Sequence, residues 1–462
     1  MAFGVAVGIL VGACATDQGT VVGLNEATGE SRPQPSREVV GSQVDAFVAP
    51  YLTMRDFSGS ILIARSGRVL VSRGYGFADF EQGVVPDERT KYGIGSITKS
   101  MTAAGIVRLA AQGRLSLTDP VDRHLPGFLH GDRITVTNLL EHSSGLRDYY
   151  SWPRYASGRA QSISTSEFLA AVQAQPLDFS PGARTTYSNS GYFLLAAIIE
   201  RVSGMPYAQF IERELLRPIG MSESGNLEDT LVIQGLATGY DAGFSPSRVQ
   251  PAAPVSRSWL KGSGSVYAST LDLYRWLQAT RDETLVTLSA LRYPYGWGKR
   301  TRFGQGVLEQ NGRIPTGYSS YAALYRRDDL IVIVLSNIQS EVAKQMGVGL
   351  AAIALGRSHE IPPLRTGYTN PPVSDSALFA AYPGRYEIAP GFVLTVRSAA
   401  QGILIAGPDG AFLPLDHEGE DRFFFRTLYV PITFERDSDG RVTELDWNSQ
   451  FRAKRLNDDP GH

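Results

Sequence analysis

Ser96 and Lys99 stand three positions apart in the stretch YGIGSITKSM, residues 92–101. Serine is a poor nucleophile until a base takes its proton. On a helix, positions three apart share one face, so Lys99 would lie beside Ser96 if Ser96 is near the helix start. There the Ser96 backbone N–H is an orphan donor that can help bind an oxyanion. The positive end of the helix dipole disfavours a charged lysine, which suits a base. Taken alone, S-x-x-K equally describes a capping serine followed by a surface lysine.

A second group lies in TTYSNSGYFLL, where Tyr187, Ser188 and Asn189 meet a loop-to-helix junction. In an extended segment, Tyr-x-Asn points two side chains the same way. Tyr187 could share a proton with Lys99, and Asn189 could hydrogen-bond an acyl side chain. A packing tyrosine and a capping asparagine is the plainer account of the same letters. Other chemistries lack their signatures. No G-x-S-x-G elbow is present, which argues against an α/β-hydrolase. His124, His130, His359, His417 and His462 are scattered without metal-ligand spacing, and no phosphate-binding glycine loop occurs. No cofactor or metal is therefore expected. His142 and Ser143 are adjacent, which is not nucleophile–base geometry, and His142 reads as a hydrogen-bonded buried histidine.

The elements that must position these residues follow from pattern. A helical run carries Val44, Phe47, Val48 and Leu52. Two β-branched runs flank Ser66-Gly67 over residues 59–76, a hairpin signal. A helix is expected from Ser96 to about Gly113, with Met101, Ala104, Ile106, Leu109 and Ala110 buried, and another over 189–204. Strands return at 303–310, 318–327 and 330–337, followed by a helix to about Leu355. Strands from both ends of this region bracket a helical middle, so one antiparallel sheet with packed helices, an α+β fold, is the economical solution. Residues 376–457 alternate short strands and turns and read as a small all-β domain.

The chain has 462 residues, a formal net charge of −2, 43% hydrophobic and 19% charged residues, which permits a full core and gives no sign of a nucleic-acid partner. Its one cysteine, Cys14, excludes an internal disulfide. Cys14 ends the apolar run MAFGVAVGILVGAC, too short to span a membrane and similar to a bacterial lipobox, although no Lys or Arg precedes it. This points to export to the cell envelope with a lipid anchor at Cys14. The expected organisation is a signal segment 1–14, a tether 15–40, a main domain 41–356, a proline-rich linker 357–375 and the β domain 376–457.

The two motifs, with YGIGSITKSMTAAGIVRLAAQGRLSLTDPVDRHLP, ITVTNLLEHSSGLRDY, YSNSGYFLLAAIIERVSGMPY and YASTLDLYRWLQA in that order, resemble the class C β-lactamase-like branch of the serine β-lactamase and penicillin-binding-protein superfamily. That branch also holds carboxylesterases, DD-peptidases and D-aminopeptidases. The resemblance covers 41–356 and implies a β-lactamase/transpeptidase-like sheet flanked by helices, with an inserted helical region. The C-terminal part resembles the small lipocalin-like β-barrel that often follows such enzymes. Carried over, it implies Ser96 as acylated nucleophile, Lys99 as base, Tyr187 as partner base and leaving-group acid, and Asn189 as positioning Lys99 or the substrate.

The family's third motif, Lys-Thr-Gly or His-x-Gly, precedes a turn matched here by Gly317-Tyr318-Ser319-Ser320. Counting back gives Asn311-Gly312, or Gln310-Asn311-Gly312, neither with Lys or His. In the family that cation helps bind a substrate carboxylate. Arg313 sits beside the place, though an arginine in a turn ordinarily points into water. Asn311, Gly312 and Arg313 are the substrate-binding candidates. Lys261-Gly262-Ser263 is set aside because it precedes a helix near Thr270 instead of lying on a sheet strand. Esterase-like members often lack the lysine, so small carboxylic esters come first as substrates. D-peptides or β-lactams follow, and a catalytically silent envelope-binding protein is the alternative of another class.

Overall fold

Ser66 and Gly67 both take positive φ, 51° and 72°, the backbone a two-residue hairpin turn requires. They join β1 (Gly59–Arg65) to β2 (Arg68–Tyr75). The structure, a computed structural model, describes residues 35–242, 249–287, 295–361, 379–389, 392–399, 402–407, 412–448 and 451–456. Cys14 and the segment 1–14 lie outside the described residues, as do most of the tether and of the linker. No helix among the described residues is long and apolar enough to cross a membrane.

Four later strands complete the sheet: β3 (Gly298–Arg302), β4 (Gln305–Ile314), β5 (Tyr318–Tyr325) and β6 (Leu330–Ser336). The order is β2-β1-β6-β5-β4-β3. Strands from the two ends of the domain meet where β1 pairs with β6, from Gly59↔Ser336 to Arg65↔Leu330. All of β5 and β6 is buried, because helices cover both faces. On one face pack α1 (Arg37–Thr53) and, at the end of the domain, α6 (Val342–Ala354). On the other pack α2 (Thr98–Ala111), α4 (Asn189–Ser203) and α5 (Thr270–Arg281), with the shorter α3 (Thr165–Gln173) outside α4.

Several boundaries differ from the sequence expectation, two of them for a visible reason. The first helix starts at Arg37, inside the expected tether, because the Ser36 hydroxyl caps it by accepting the Val39 N–H at 3.3 Å. The strand expected to end at 310 continues to Ile314, since its register with β5 holds through Tyr318↔Ile314. Asn311, Gly312 and Arg313 are therefore strand residues. In α2, Met101, Ala104, Ile106 and Leu109 are buried and Ala110 is half-buried.

An aromatic cluster ties the inserted helical region to the rest. Phe168 on α3 stacks on Phe193 of α4, centroids 3.6 Å apart. Trp259, on the turn before Lys261, packs edge-on to Phe168 and stacks with Tyr149. Three segments that reach the cleft thus share one rigid anchor.

After α6, eight strands close into a barrel: β7 (Gly384–Ala389), β8 (Phe392–Ala399), β9 (Gly402–Ala406), β10 (Leu413–Gly419), β11 (Arg422–Phe425), β12 (Val430–Arg436), β13 (Val442–Trp447) and β14 (Phe451–Arg455). Tyr386, Phe423, Phe434 and Trp447 fill its interior. Phe424 and Tyr429 instead join the core formed by α1 and α6.

Truncating Phe168 to alanine empties the centre of the aromatic cluster. Phe168→Ala is expected to cost about 3–5 kcal/mol, read as a lowered urea midpoint. An unchanged midpoint would mean that the cluster does not anchor the helical region.

Candidate active site

Ser96 lies in a 3₁₀ turn, Gly95–Ile97, that runs directly into α2. Strand β4 passes so close that side chains are excluded at two positions. Gly95 has φ 53°, and a Cβ there would sit 2.8 Å from the Arg313 amide nitrogen. A Cβ on Gly312 would sit 2.2 Å from Ile94 O and 2.9 Å from Ser96 N. The Ser320 hydroxyl donates to Ile94 O at 2.7 Å and fixes the approach from β5.

Lys99 follows on the first turn of α2, and the helical spacing brings its amine to the serine. Nζ donates to Ser96 Oγ at 3.0 Å, to Asn189 Oδ1 at 2.8 Å and to the Ser263 carbonyl at 2.7 Å. Three acceptors match the three hydrogens of the charged amine. Lys99 is only 1% exposed. That burial pulls its pKa down to about 7, against the pull of the Asp148 carboxylate in the other direction. The Tyr187 hydroxyl is 2.6 Å from Ser96 Oγ. Lys99 Nζ faces the Tyr187 ring, 4.8 Å from its centroid, so the hydrogen-bonded path between the two groups passes through the serine hydroxyl. Burial raises the Tyr187 phenol above its ordinary range, with the Ser96 hydrogen bond opposing.

Ser188 caps α4 by accepting the Gly191 N–H, which leaves the neighbouring Asn189 side chain free to turn inward. Its carboxamide is engaged at both ends, Oδ1 by Lys99 and Nδ2 by Asp148 Oδ2 at 2.8 Å. His142 stacks on Tyr187, centroids 4.6 Å apart, and its Nδ1 accepts the Ser188 N–H at 3.1 Å. Burial, and next the Lys99 charge, lower its pKa to about 3, so it supports Tyr187 as a neutral ring.

Two contributors escaped the sequence reading. Asp148 is a half-buried carboxylate whose Oδ2 accepts both the Asn189 N–H and Nδ2, while Oδ1 accepts the Tyr150 N–H. Burial pushes its carboxyl up, and the Asn189 N–H is foremost among the contacts pulling it back. It lies in the stretch ITVTNLLEHSSGLRDY, where nothing local marks the aspartate. The second is Ser263. The Lys261-Gly262-Ser263 loop, set aside as a motif, enters the site through a main-chain carbonyl, which no side-chain pattern reveals.

A cleft of ≈ 300 Å³ opens beside Ser96, between Tyr150, Tyr187 and Asn189 on one side and Ser263, Gly264 and Arg313 on the other. Strand alternation corrects the third-motif candidates. Gly312 lies against Ser96, and Ile314 belongs to the core on the α2 face. Asn311 is turned to the opposite face, in register with Tyr321 of the α1–α6 core. Arg313 does not point into water: its side chain is 8% exposed, with Nη1 3.6 Å from Glu341 Oε1 and 3.3 Å from Thr427 O. Its main chain borders the cleft while its guanidinium is held from behind. The residue two before Gly312 on the site face is Gln310, a neutral amide that donates to Asn311 O at 3.3 Å. Among the described residues no group of three or more His, Cys, Asp or Glu gathers to hold a metal ion.

The Beta-lactamase family matches residues 44–355, and a domain of unknown function, DUF3471, matches 369–460. Penicillin-binding protein 4* of Bacillus subtilis (strain 168) is 28% identical over 414 residues, covering 83% of this chain and 91% of that protein. Among solved structures, the octameric penicillin-binding protein homologue from Pyrococcus abyssi has a TM-score of 0.61 at 23% identity, over 89% of this chain and 99% of its own. The D-amino acid amidase from Ochrobactrum anthropi SV3 has a TM-score of 0.60 at 20% identity, over 69% and 97%. These two show likeness of fold. The Beta-lactamase match runs from within α1 to the end of α6, through every element that carries the Ser96 contacts, and the chain belongs to that family.

Proposed function

We propose that this protein is a serine hydrolase working through an acyl-enzyme on Ser96, and that its acyl donors are small esters, or amides without a terminal carboxylate. The observation that carries the reading is the double contact on one hydroxyl, Tyr187 at 2.6 Å and Lys99 at 3.0 Å. Ser96 Oγ attacks the carbonyl carbon as its proton passes to the neutral Lys99 amine or through Tyr187. The carbonyl π electrons move onto oxygen, held by the Ser96 and Arg313 amides on either side of the Gly95–Gly312 approach. The oxyanion collapses, the C–O or C–N bond breaks, and the alcohol or amine leaves with the proton that Lys99 or Tyr187 took from the serine; water, giving its proton to the same base, then hydrolyses the acyl-serine and Ser96 Oγ recovers a proton. Asn189 and Asp148 position Lys99 in this scheme.

Glu341 neutralises Arg313, the cation among the described residues bordering the cleft, and Gln310 carries no charge. A substrate carboxylate finds no partner there, which supports esters over β-lactams. The named relatives, a penicillin-binding protein and a D-amino acid amidase, favour D-amino-acid amides or peptides as the second reading. Envelope export and a lipid anchor at Cys14 complete the proposal, supported by the apolar run that ends at that cysteine.

The direct test is turnover of p-nitrophenyl acetate and butyrate, D-phenylalanine amide and nitrocefin by wild type and Ser96→Ala. Ester turnover lost in Ser96→Ala, with little nitrocefin cleavage, is expected. Dominant amide turnover moves the assignment to the second reading, and ester turnover surviving in Ser96→Ala removes the nucleophile.

The pH profile tests the base. Only the neutral amine accepts a proton, and with its pKa at about 7 the neutral fraction falls as pH drops. Ester kcat/KM should therefore rise with pH, with a midpoint near that value and a slope of about tenfold per unit below it. A flat profile from mildly acidic to mildly basic pH would remove Lys99 as base.

Gly312→Ala tests the oxyanion niche, since the new Cβ would crowd Ser96 N and Ile94 O. A loss of about 10²–10³ in kcat is expected. Wild-type turnover would mean that the close approach of β4 is dispensable.

A further inference from the structure

The turn between β11 and β12, Arg426–Tyr429, leaves the barrel and reaches toward the cleft from behind. Arg426 is 3% exposed, with Nε 3.2 Å from Asp56 Oδ1, in the loop between α1 and β1, and 3.2 Å from Asp416 Oδ2 on β10. A guanidinium out of water is held where its carboxylates are, so this contact gives the barrel one seat on the main domain. The next residue uses that seat. Thr427 O accepts the Glu341 N–H at 3.1 Å and Arg313 Nη1 at 3.3 Å. Tyr429 follows, its carbonyl accepting Gln345 Nε2 at 2.9 Å and its ring 5.7 Å from Tyr51.

What is held matters because of where β4 ends. β3 pairs with β4 only over Gln305–Glu309, so residues 310–314 have β5 as their strand partner and face the Ser96 turn along the other edge. The amide of Arg313 borders the cleft on that edge, and its side chain is the part the barrel grips.

We propose that the barrel is a positioning element of the acyl-transfer site: its Arg426–Tyr429 turn clamps the Arg313 side chain and thereby fixes the strand edge that borders the cleft. The side chains of Arg313 and Arg426 touch no reacting atom and act by placing the Arg313 main chain, so both are positioning groups. The consequence for activity rests on the serine-hydrolase reading above; the clamp itself does not.

The test uses the full chain as Arg426→Met, Arg426→Lys, Arg313→Met and the Arg313→Met/Arg426→Met double variant. Amide hydrogen exchange across 310–314, kcat and KM for p-nitrophenyl butyrate, and labelling of Ser96 by a fluorophosphonate are measured on each. The expected result for Arg426→Met and Arg313→Met is faster exchange at 310–314 and a kcat lowered by about ten- to a hundredfold with KM little changed. Arg426→Lys, which keeps the charge, should recover part of the loss. The double variant should be no worse than the poorer single one, because both cut the same clamp. Unchanged exchange at 310–314 in both single Met variants, or strictly additive losses in the double, would overturn the proposal. If Arg426→Met does not fold, Arg313→Met decides by the same exchange criterion. A wild type that is neither labelled nor active would sink the hydrolase reading, and the exchange at 310–314 would still decide the clamp.

Discussion

One lysine amine sits almost out of water at the start of α2, and the arrangement around it follows from that cost. An amine moved from water into protein keeps its charge only where donors meet acceptors and a carboxylate lies near. Here the acceptors come from three places: the Ser96 hydroxyl in the 3₁₀ turn that leads into the helix, the Asn189 carboxamide at the start of α4 and the Ser263 carbonyl after the Trp259 turn. Asp148 supplies the distant charge and, by gripping Asn189 Nδ2, decides which end of that carboxamide faces the amine. The balance brings the amine's pKa down to about 7, so its charged and neutral forms are both accessible near neutral pH. The aromatic cluster around Phe168 and Trp259 has its place in this account, since it fixes two of the three acceptor segments relative to each other.

The legible parts of the site were those set by local geometry. Ser96 and Lys99 are joined by one helical turn, and Tyr187 and Asn189 by one extended step, so their spacing survives in the sequence. Asp148 meets Asn189 across 41 positions of chain, and no periodicity records such a contact. The end of β4 was misplaced for a related reason. Gln310 to Arg313, just before its final Ile314, are polar or glycine, and strand propensity fades there while pairing with β5 continues. Once the strand is extended to Ile314, alternation alone turns Asn311 away from the cleft and leaves Gly312 against Ser96.

The fold was readable where burial makes a pattern: the hairpin around Ser66-Gly67, the apolar helix 189–203, the fully buried β5 and β6. The β domain was readable as strands and turns. Its attachment was not. Arg426 is, by letter, a charged residue in a turn, and it is buried between Asp416 of the barrel and Asp56 from the other end of the chain.

The six-stranded sheet has two outer strands, and β3 has no strand partner beyond it among the described residues. An unpaired edge is an invitation to add another chain's strand. On β3, Lys299 and Arg300 are exposed, whereas Arg302 at the end of the strand is paired with Glu309, so the edge presents two adjacent basic side chains. Two such edges brought together would oppose like with like. Continuation of the sheet from one molecule into the next is thereby disfavoured at that strand.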